Sequence, residues 1–190
     1  MNYKYKYILA IDPSGSFSEG KGTTGWVLLS HNEQLLGKGF ISAYDFNCPE
    51  EYWDAHIKLI KTYNKYYGKN LIIVIEDYIL YKNRTQSSIN SKFETCRLIG
   101  VLQHYCWRIH QDYSMQLAVA VKNRWSDELL IHEKYIYKTK RDLIHRQSKL
   151  SLKLIHTRDA YRHALHYAVC RNKIEERKKN ANRKIKRSNY

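Results

Sequence analysis

Five short apolar runs along the chain have the composition of β-strands. They are rich in Ile, Leu and Val, and turn residues bound most of them. Only the polar tetrapeptide His31–Gln34 separates the second run from the third, so these two should form an antiparallel hairpin. The predicted strands cover residues 5–12, 25–30, 35–41, 71–75 and 115–121.

Four other segments carry apolar residues at helical spacing. The first should begin at Pro49 with Glu50 and Glu51 in its first turn, because acids suit the positive end of a helix, and it should end at Gly68. The order of elements, β-β-β-α-β-α-β-α-α, predicts a mixed α/β domain. The predicted helices cover residues 49–67, 87–110, 127–151 and 157–175.

The helix predicted over Ser87–His110 is apolar on two faces. The broader face should lie on the sheet and consists of Leu98, Ile99, Leu102, Tyr105, Cys106 and Ile109. The other face, which we call the narrow stripe, consists of Phe93, Cys96, Gly100 and Trp107. A helix with two apolar faces needs two partners. We expect the narrow stripe to lie at the centre of a two-fold homodimer; the alternative is that the helix at 49–67 covers it.

The charge of the chain narrows the class of partner. Its 190 residues include 33 Lys and Arg against 18 Asp and Glu, a formal net charge of +15. Such an excess favours a polyanion. No apolar run reaches the roughly 18 residues that span a bilayer, and neither end carries a basic helix with a bulky apolar face. The expected partner is therefore nucleic acid, not a membrane.

Two further features bear on compartment and domain limits. The four cysteines lack the spacing of zinc or haem motifs, which indicates reduced thiols in a cytoplasmic protein. The segment Arg171–Tyr190 holds nine Lys and Arg but only two Glu, a net charge of +7. This pattern is typical of a disordered basic tail. We expect one folded domain over residues 1–172 and a tail over 173–190.

Two of the predicted strands end in carboxylates. Asp12 follows ILAI and Glu76 follows IIVI, while Asp159 lies three residues after His156 in the last predicted helix. On that helix His156, Asp159 and His163 share one stripe. Acids that converge in this way repel one another unless a cation lies between them, and two Mg²⁺ or Mn²⁺ ions would suit a phosphodiester hydrolase.

Each of these motifs alone has an ordinary structural explanation. Asp-Pro-Ser-Gly is most often a turn with an Asp cap, His-x-x-Asp is usually a helix cap, and Glu-Asp is usually the end of a strand. The combination of all three on one scaffold is much less common. It favours a site over three independent caps.

Three segments together resemble the RuvC family of Holliday junction resolvases. They are ILAIDPSGSFSEGKGTTGWVLL, IVIEDYILYKNRTQSSINSKFETCRLIGVL and HTRDAYRHALHYAV, and the resemblance spans residues 5–172 and is strongest to viral or phage-type members. It implies an RNase H-like fold, with a mixed five-stranded sheet (three antiparallel strands, then two parallel ones) flanked by helices. It also implies a homodimer that binds four-way DNA junctions and makes paired nicks with Mg²⁺ or Mn²⁺, two ions per active site.

The resemblance also assigns residues. It implies that Asp12, Glu76, His156 and Asp159 hold the metal, and that a tyrosine just past Glu76 stacks at the junction centre. His163 and Asp77 are expected to support those ligands without binding an ion. The residues expected to contact DNA are Tyr78, Tyr81, Lys82, Arg84, Lys122 and Lys140.

The chain departs from the family pattern at two places. The first loop is longer, with six residues at 18–23, and the segment Lys122–Ser126 lacks the glycine-rich turn of bacterial members. Two other functions therefore stay open. One is an RNase H-like nuclease that cuts RNA or an RNA–DNA hybrid, and the other is a non-catalytic protein that binds branched DNA through charge alone.

Overall fold

The computed structural model describes residues 5–78 and 93–170 and contains a mixed five-stranded sheet. Its strands are β1 Tyr7–Asp12, β2 Thr23–Ser30, β3 Leu35–Ser42, β4 Leu71–Asp77 and β5 Tyr113–Leu117. They lie in the order β3-β2-β1-β4-β5. Strands β1, β2 and β3 pair antiparallel, whereas β4 runs parallel to β1 and β5 runs parallel to β4. This is the sheet that the resemblance implies.

Helices cover both faces of the sheet. They are α1 Pro49–Tyr67, α2 Glu94–Arg108, α3 Ala118–Arg124, α4 Asp127–His132 and α5 155–170, with 3-10 turns at Ala43–Asp45 and Gly68–Asn70. On one face, α1 and α2 bury Tyr52, Ile60, Leu98 and Leu102. On the other face, α5 buries Ala160, Tyr161, Ala164 and Leu165. Apolar residues on alternate positions of β1 and β4 therefore serve two separate cores.

The first helix begins and ends where the sequence indicates. Pro49 occupies its first turn with Glu50 and Glu51, and Gly68 ends it with φ of 49°. That backbone conformation is one that glycine adopts with little strain.

The prediction of a helix over 127–151 is wrong beyond its first turns. Lys134, with φ of 64°, follows the end of α4, and the chain then forms an antiparallel hairpin of β6 Ile136–Lys138 and β7 Leu143–His145. The hydroxyl oxygen of Thr139 accepts hydrogen bonds from the backbone N–H groups of Arg141 and Asp142, which stabilises the turn. The sequence does not indicate this short hairpin, because its many charged residues are also typical of a solvent-exposed helix.

The fifth strand is also displaced from its prediction of 115–121. Pairing with β4 ends at Asp77 and Leu117, and Ala118–Arg124 form a helix instead. The run AVAV is compatible with either structure, and alanine is the best helix former.

Several sequence predictions fall partly outside the described residues. The helix predicted from Ser87 is described only from Glu94, and residues 171–190, which contain the expected tail, are not among those described. The proposed domain limit at 172 stays a prediction. Within the described ranges, no helix is both long and apolar enough to cross a membrane.

The narrow stripe is not covered by α1. Trp107 is 69% exposed, Phe93 is 38% exposed, and a Cβ at Gly100 would have no heavy atom within 4 Å. The alternative explanation of the second apolar face is therefore wrong.

A buried histidine should make the stability of the fold depend on pH. The Nδ1 of His56 lies 2.7 Å from the carbonyl oxygen of Tyr52, which can only accept, so Nδ1 carries the proton and Nε2 accepts from the Thr24 hydroxyl at 2.8 Å. Burial lowers the pKa of His56 to about 4, and burial likewise lowers the pKa of His145 to about 4. In the unfolded chain these histidines should have a pKa of about 6.5.

Between those pH values the unfolded chain binds more protons, so the stabilisation is complete above about pH 6.5 and is lost as the pH falls towards 4. His56 alone should account for up to about 3 kcal/mol of the free energy of unfolding. Urea unfolding from about pH 7 to pH 4 should show that His56→Gln loses less stability over this range than wild type, by up to about 3 kcal/mol. His104→Gln, at an exposed histidine of α2, is the matched control, and equal slopes for wild type and His56→Gln would contradict the assignment.

Candidate functional site

Two neighbouring parallel strands bring Asp12 and Glu76 to one edge of the sheet. The register of β1 and β4 pairs Ile11 with Ile75, so the two acids follow in step at the carboxyl ends of the strands. Side chains in register point to the same face. That face is the one covered by α5, because Ala10 and Val74, two residues earlier in each strand, pack in its core.

Helix α5 supplies the other two residues, and its approach depends on Gly25 in β2. A Cβ at Gly25 would lie 2.1 Å from the carbonyl carbon of His156, so only glycine allows the helix to start there. The Thr157 hydroxyl donates to the carbonyl oxygen of Gly39 at 3.1 Å and fixes the first turn on β3. His156 and Asp159 therefore face the ends of β1 and β4.

Two histidines of α5, His156 and His163, each contact one of the strand carboxylates. His156 Nδ1 lies 2.9 Å from Asp12 Oδ2, and His163 Nε2 lies 2.9 Å from Glu76 Oε2. His163 is fully buried, and its Nδ1 lies 3.0 Å from Gln116 Oε1 on β5. Because the Glu76 carboxylate can only accept, the Nε2–H of His163 donates to it, so His163 holds Glu76 from the interior.

Lysine and arginine side chains also form ion pairs with the carboxylates. Lys122 Nζ, on α3, lies 3.0 Å from Asp159 Oδ2 and 3.9 Å from Glu76 Oε1. Arg162 donates to Asp159 on one side and to Asp127 Oδ1, at 2.6 Å, on the other. The site is therefore a cluster of three carboxylates whose oxygens are paired with protein groups.

Burial, hydrogen bonds and neighbouring charges shift three pKa values at the site. Burial raises the pKa of Asp12 to about 6, and the charges of Glu76 and Asp159 add to the rise although the hydrogen bond from His156 opposes it. The same hydrogen bond raises the pKa of His156, against the effect of burial. Burial acts to lower the pKa of Lys122, but the hydrogen bond to Asp159 and the neighbouring acids outweigh it, so that pKa is raised.

A buried polar network fixes the turn that follows Asp12. The Tyr52 hydroxyl donates to the Ser14 carbonyl at 2.7 Å, and the Ser14 N–H donates to Thr24 Oγ1 at 3.1 Å, the same hydroxyl that His56 contacts. Gly15 meets the start of α2, where a Cβ would lie 2.1 Å from the carbonyl carbon of Glu94. The turn is held from both sides, which limits the motion of the Asp12 side chain.

The other predicted site residues lie in different places. Tyr78 is 37% exposed just after the end of β4, at the same edge as the carboxylates. Asp77 accepts a hydrogen bond from the Tyr78 N–H at 2.9 Å. Burial raises the pKa of Cys96 on α2, and the charge of Asp77 adds to that rise, so Asp77 faces α2 and not the carboxylate cluster. Tyr81, Lys82 and Arg84 lie outside the described residues.

Lys140 belongs to a basic cleft beside the β6–β7 hairpin. The cleft has a volume of about 250 Å³ and contains a single acid, Asp142. The cations that line it are Lys138, Lys140, Arg141, Lys153 and Arg158. Lys122 contacts Asp159 and Glu76, and its expected contact with DNA stays a prediction.

Sequence reasoning missed three contacts at the site: those of Arg162 and Lys122 with the carboxylates, and that of Gln116 with His163. Arg162 stands three residues after Asp159, a spacing at which helical side chains meet. Gln116 is a polar residue within an otherwise apolar predicted strand, which could have marked it. The contact of Lys122 had no such signal, because it depends on the unforeseen helix α3.

The donor set suits a hard divalent cation. Carboxylate oxygens are the ligands that Mg²⁺ and Mn²⁺ prefer, with an imidazole acceptable to Mn²⁺. In the two described ranges, however, no three His, Cys, Asp or Glu side chains already surround a point that would hold an ion. Lys122 and the two histidines occupy carboxylate oxygens that an ion would use, so metal binding must displace some of these contacts.

Comparison with known proteins establishes the fold. No protein-family model matches the sequence, and neither does any curated protein. Among solved structures, RuvC of T. thermophilus in complex with a Holliday junction substrate matches with a TM-score of 0.60 and 12% identity, over 88% of this chain and 96% of that one. A second Thermus thermophilus RuvC structure matches with a TM-score of 0.53 and 14% identity, over 87% and 95% of the two chains. The chain therefore has the RNase H-like fold in its RuvC-like form.

Proposed function

We propose that this protein is a metal-dependent endonuclease that binds four-way and related branched DNA and hydrolyses phosphodiesters by paired nicks. The observation that carries the proposal is the convergence of Asp12, Glu76 and Asp159 with His156 at the carboxyl ends of β1 and β4. Three acids at one partly buried edge repel one another, and a bound divalent cation would offset that repulsion more fully than the protein groups that pair with them. The RuvC-like fold and the net charge of +15 support DNA as the substrate.

Asp12, Glu76, Asp159 and His156 would hold the metal. Two divalent ions bound there would activate water and stabilise the leaving oxygen of a phosphodiester. The residues of the chain prepare that site: Gly25 admits α5, His163 orients Glu76 from the interior, and Arg162 holds Asp159. Lys122 neutralises Asp159 and Glu76 until a cation or a phosphate draws it away.

We also propose a two-fold homodimer formed through the narrow stripe. The exposed indole of Trp107 and the open surface at Gly100 would allow two copies of α2 to approach closely. A four-way junction is itself nearly two-fold, so two active sites related by one axis suit paired nicks. The similarity to phage-type members stays a prediction.

The basic cleft at the β6–β7 hairpin suits the DNA backbone. Lys138, Lys140, Arg141 and Lys153 face one acid, Asp142, and give the cleft the positive charge that phosphates require, whereas Arg158 is nearly buried and pairs with Asp127 at 3.3 Å. It adjoins α5 through Arg158, next to Asp159, so one DNA arm could contact both the cleft and the site.

A non-catalytic DNA-binding protein is the second candidate. The specific observation in its favour is that protein cations already pair the carboxylates. Calorimetry with Mn²⁺ separates the two functions. The nuclease should bind Mn²⁺ at the carboxylates, whereas the rival should bind branched DNA without binding Mn²⁺.

Substitution of one carboxylate should abolish cleavage and leave DNA binding in place. Asp12→Asn, Glu76→Gln and Asp159→Asn should each lower the cleavage rate of four-way DNA by well over about tenfold, because each removes a ligand of a two-metal site. Affinity for DNA should stay equal or rise, because a charge that repels phosphate is removed. The measurement is Mg²⁺-dependent cleavage of four-way, three-way, flap, linear and RNA–DNA hybrid substrates.

Asp54→Asn on the exposed side of α1 is the matched control and should cut at the wild-type rate. Cleavage by Asp12→Asn within about tenfold of wild type would contradict the site assignment. Preferential cleavage of the hybrid would instead favour the RNA-directed alternative.

Removal of charge from the basic cleft should weaken binding to all DNA shapes. The double variant Lys140→Ala/Arg141→Ala should flatten the slope of log K against log salt by about 0.9 for each phosphate that the protein no longer neutralises. Lys61→Ala/Lys65→Ala on α1 removes the same charge elsewhere and should change the slope less. Equal slopes for the two double variants would show that the cleft makes no specific phosphate contact.

Substitution of Trp107 by Glu should produce a folded monomer. A buried charge at the centre of a dimer interface opposes association, so the variant should bind four-way DNA weakly and fail to make both nicks in one encounter. Tyr66→Glu, also on an exposed aromatic, should stay dimeric. Sedimentation that finds wild type monomeric at micromolar concentration, with and without four-way DNA, would refute the dimer.

A further inference from the structure

An exposed phenylalanine stands beside the carboxylate site without a role in either core. Phe40, on β3, is 59% exposed, and Ile155, next to His156 in sequence, is 55% exposed. Single exposed apolar residues are common and need no explanation. Phe40, however, lies close to the carboxylate site, and that position requires an explanation.

The register of the sheet places Phe40 near the carboxylate site. Phe40 pairs with Gly25 of β2, and the Cβ direction of Gly25 points at the backbone of His156. Paired residues of antiparallel strands face the same side with their Cβ positions about 5 Å apart. The ring of Phe40 therefore projects on the α5 face next to the first turn of α5, where His156 contacts Asp12.

The surroundings of Phe40 are basic and apolar. Lys38 precedes it by two residues in the strand and therefore shares its face. Neither β3, LLGKGFIS, nor the segment LSLKLIH at 150–156 contains an acid. A flat ring flanked by lysine and next to a candidate phosphodiester site suits a nucleobase beside a phosphate better than it suits another protein surface.

We propose that Phe40 stacks on an unpaired nucleobase next to the phosphodiester that is cut. Tyr78, two residues past Glu76 at the end of β4, is a second exposed aromatic residue at the same edge of the sheet. The inference rests on the proposed function, because it takes DNA as the ligand of the same edge.

The test uses the full chain in EDTA, so that DNA is bound and not cut. A series of four-way junctions carries the fluorescent base 2-aminopurine at successive positions around the crossover. Wild type should quench the fluorescence at one or more of these positions. Phe40→Ala should abolish that quenching and weaken binding by at least about fivefold, whereas Phe40→Trp, which keeps a stacking ring, should retain both.

Tyr66→Ala is the control, because Tyr66 is 73% exposed near the far end of α1. It should match wild type in quenching and affinity. Phe40→Ala with wild-type quenching, or with unchanged affinity, overturns the proposal. A change in the sedimentation of the free protein on Phe40→Ala also overturns it, because the ring would then be covered by a second copy of the chain.

Failure of the proposed function gives a different result from failure of the stacking proposal. Absence of Mg²⁺-dependent cleavage by wild type on any branched substrate would reject the nuclease, while the quenching series would still report whether Phe40 stacks on a base.

Discussion

Electrostatic repulsion among three carboxylates is the constraint around which one edge of this molecule is built. Asp12, Glu76 and Asp159 come from three different elements, and burial together with mutual repulsion raises the pKa of Asp12 to about 6. A fold tolerates such a group only when cations compensate it. Here two helices face the cluster: α5 contributes hydrogen bonds from two histidines and the charge of Arg162, and α3 contributes the charge of Lys122.

Those compensating contacts differ in how readily they can be broken. His163 is fully buried and lies between Glu76 and Gln116, so it has no route to solvent and serves as a fixed support. Lys122 is half-exposed, and its flexible side chain can leave the carboxylates at little cost. The site thus combines a rigid interior with an exchangeable outer charge, which is the arrangement expected where a cation or a phosphate must enter.

Local signals in the sequence were sufficient for the parts of the fold that depend on local physics. The acids at the ends of β1 and β4 follow continuous apolar runs, and Pro49 and Gly68 mark the ends of α1, so these features were predictable. The β6–β7 hairpin was not, because its strands are only three residues long and its charges resemble those of a solvated helix. The contact of Lys122 with Asp159 could not be predicted either, because it depends on the early end of β5 and on helix α3, neither of which the sequence indicated.

Gly15 and Gly25, which lie against the backbone of a helix start, have a consequence for genetics. A side chain at Gly25 would collide with the backbone of His156, and one at Gly15 would collide with the backbone of Glu94, each at 2.1 Å. Backbone atoms at the start of a packed helix cannot move aside cheaply. In a saturation mutagenesis screen for folded protein, these two chemically inert positions should therefore be among the least tolerant, and even alanine should be selected against. Gly100, whose surroundings are open, should tolerate alanine as far as the fold of a single chain is concerned.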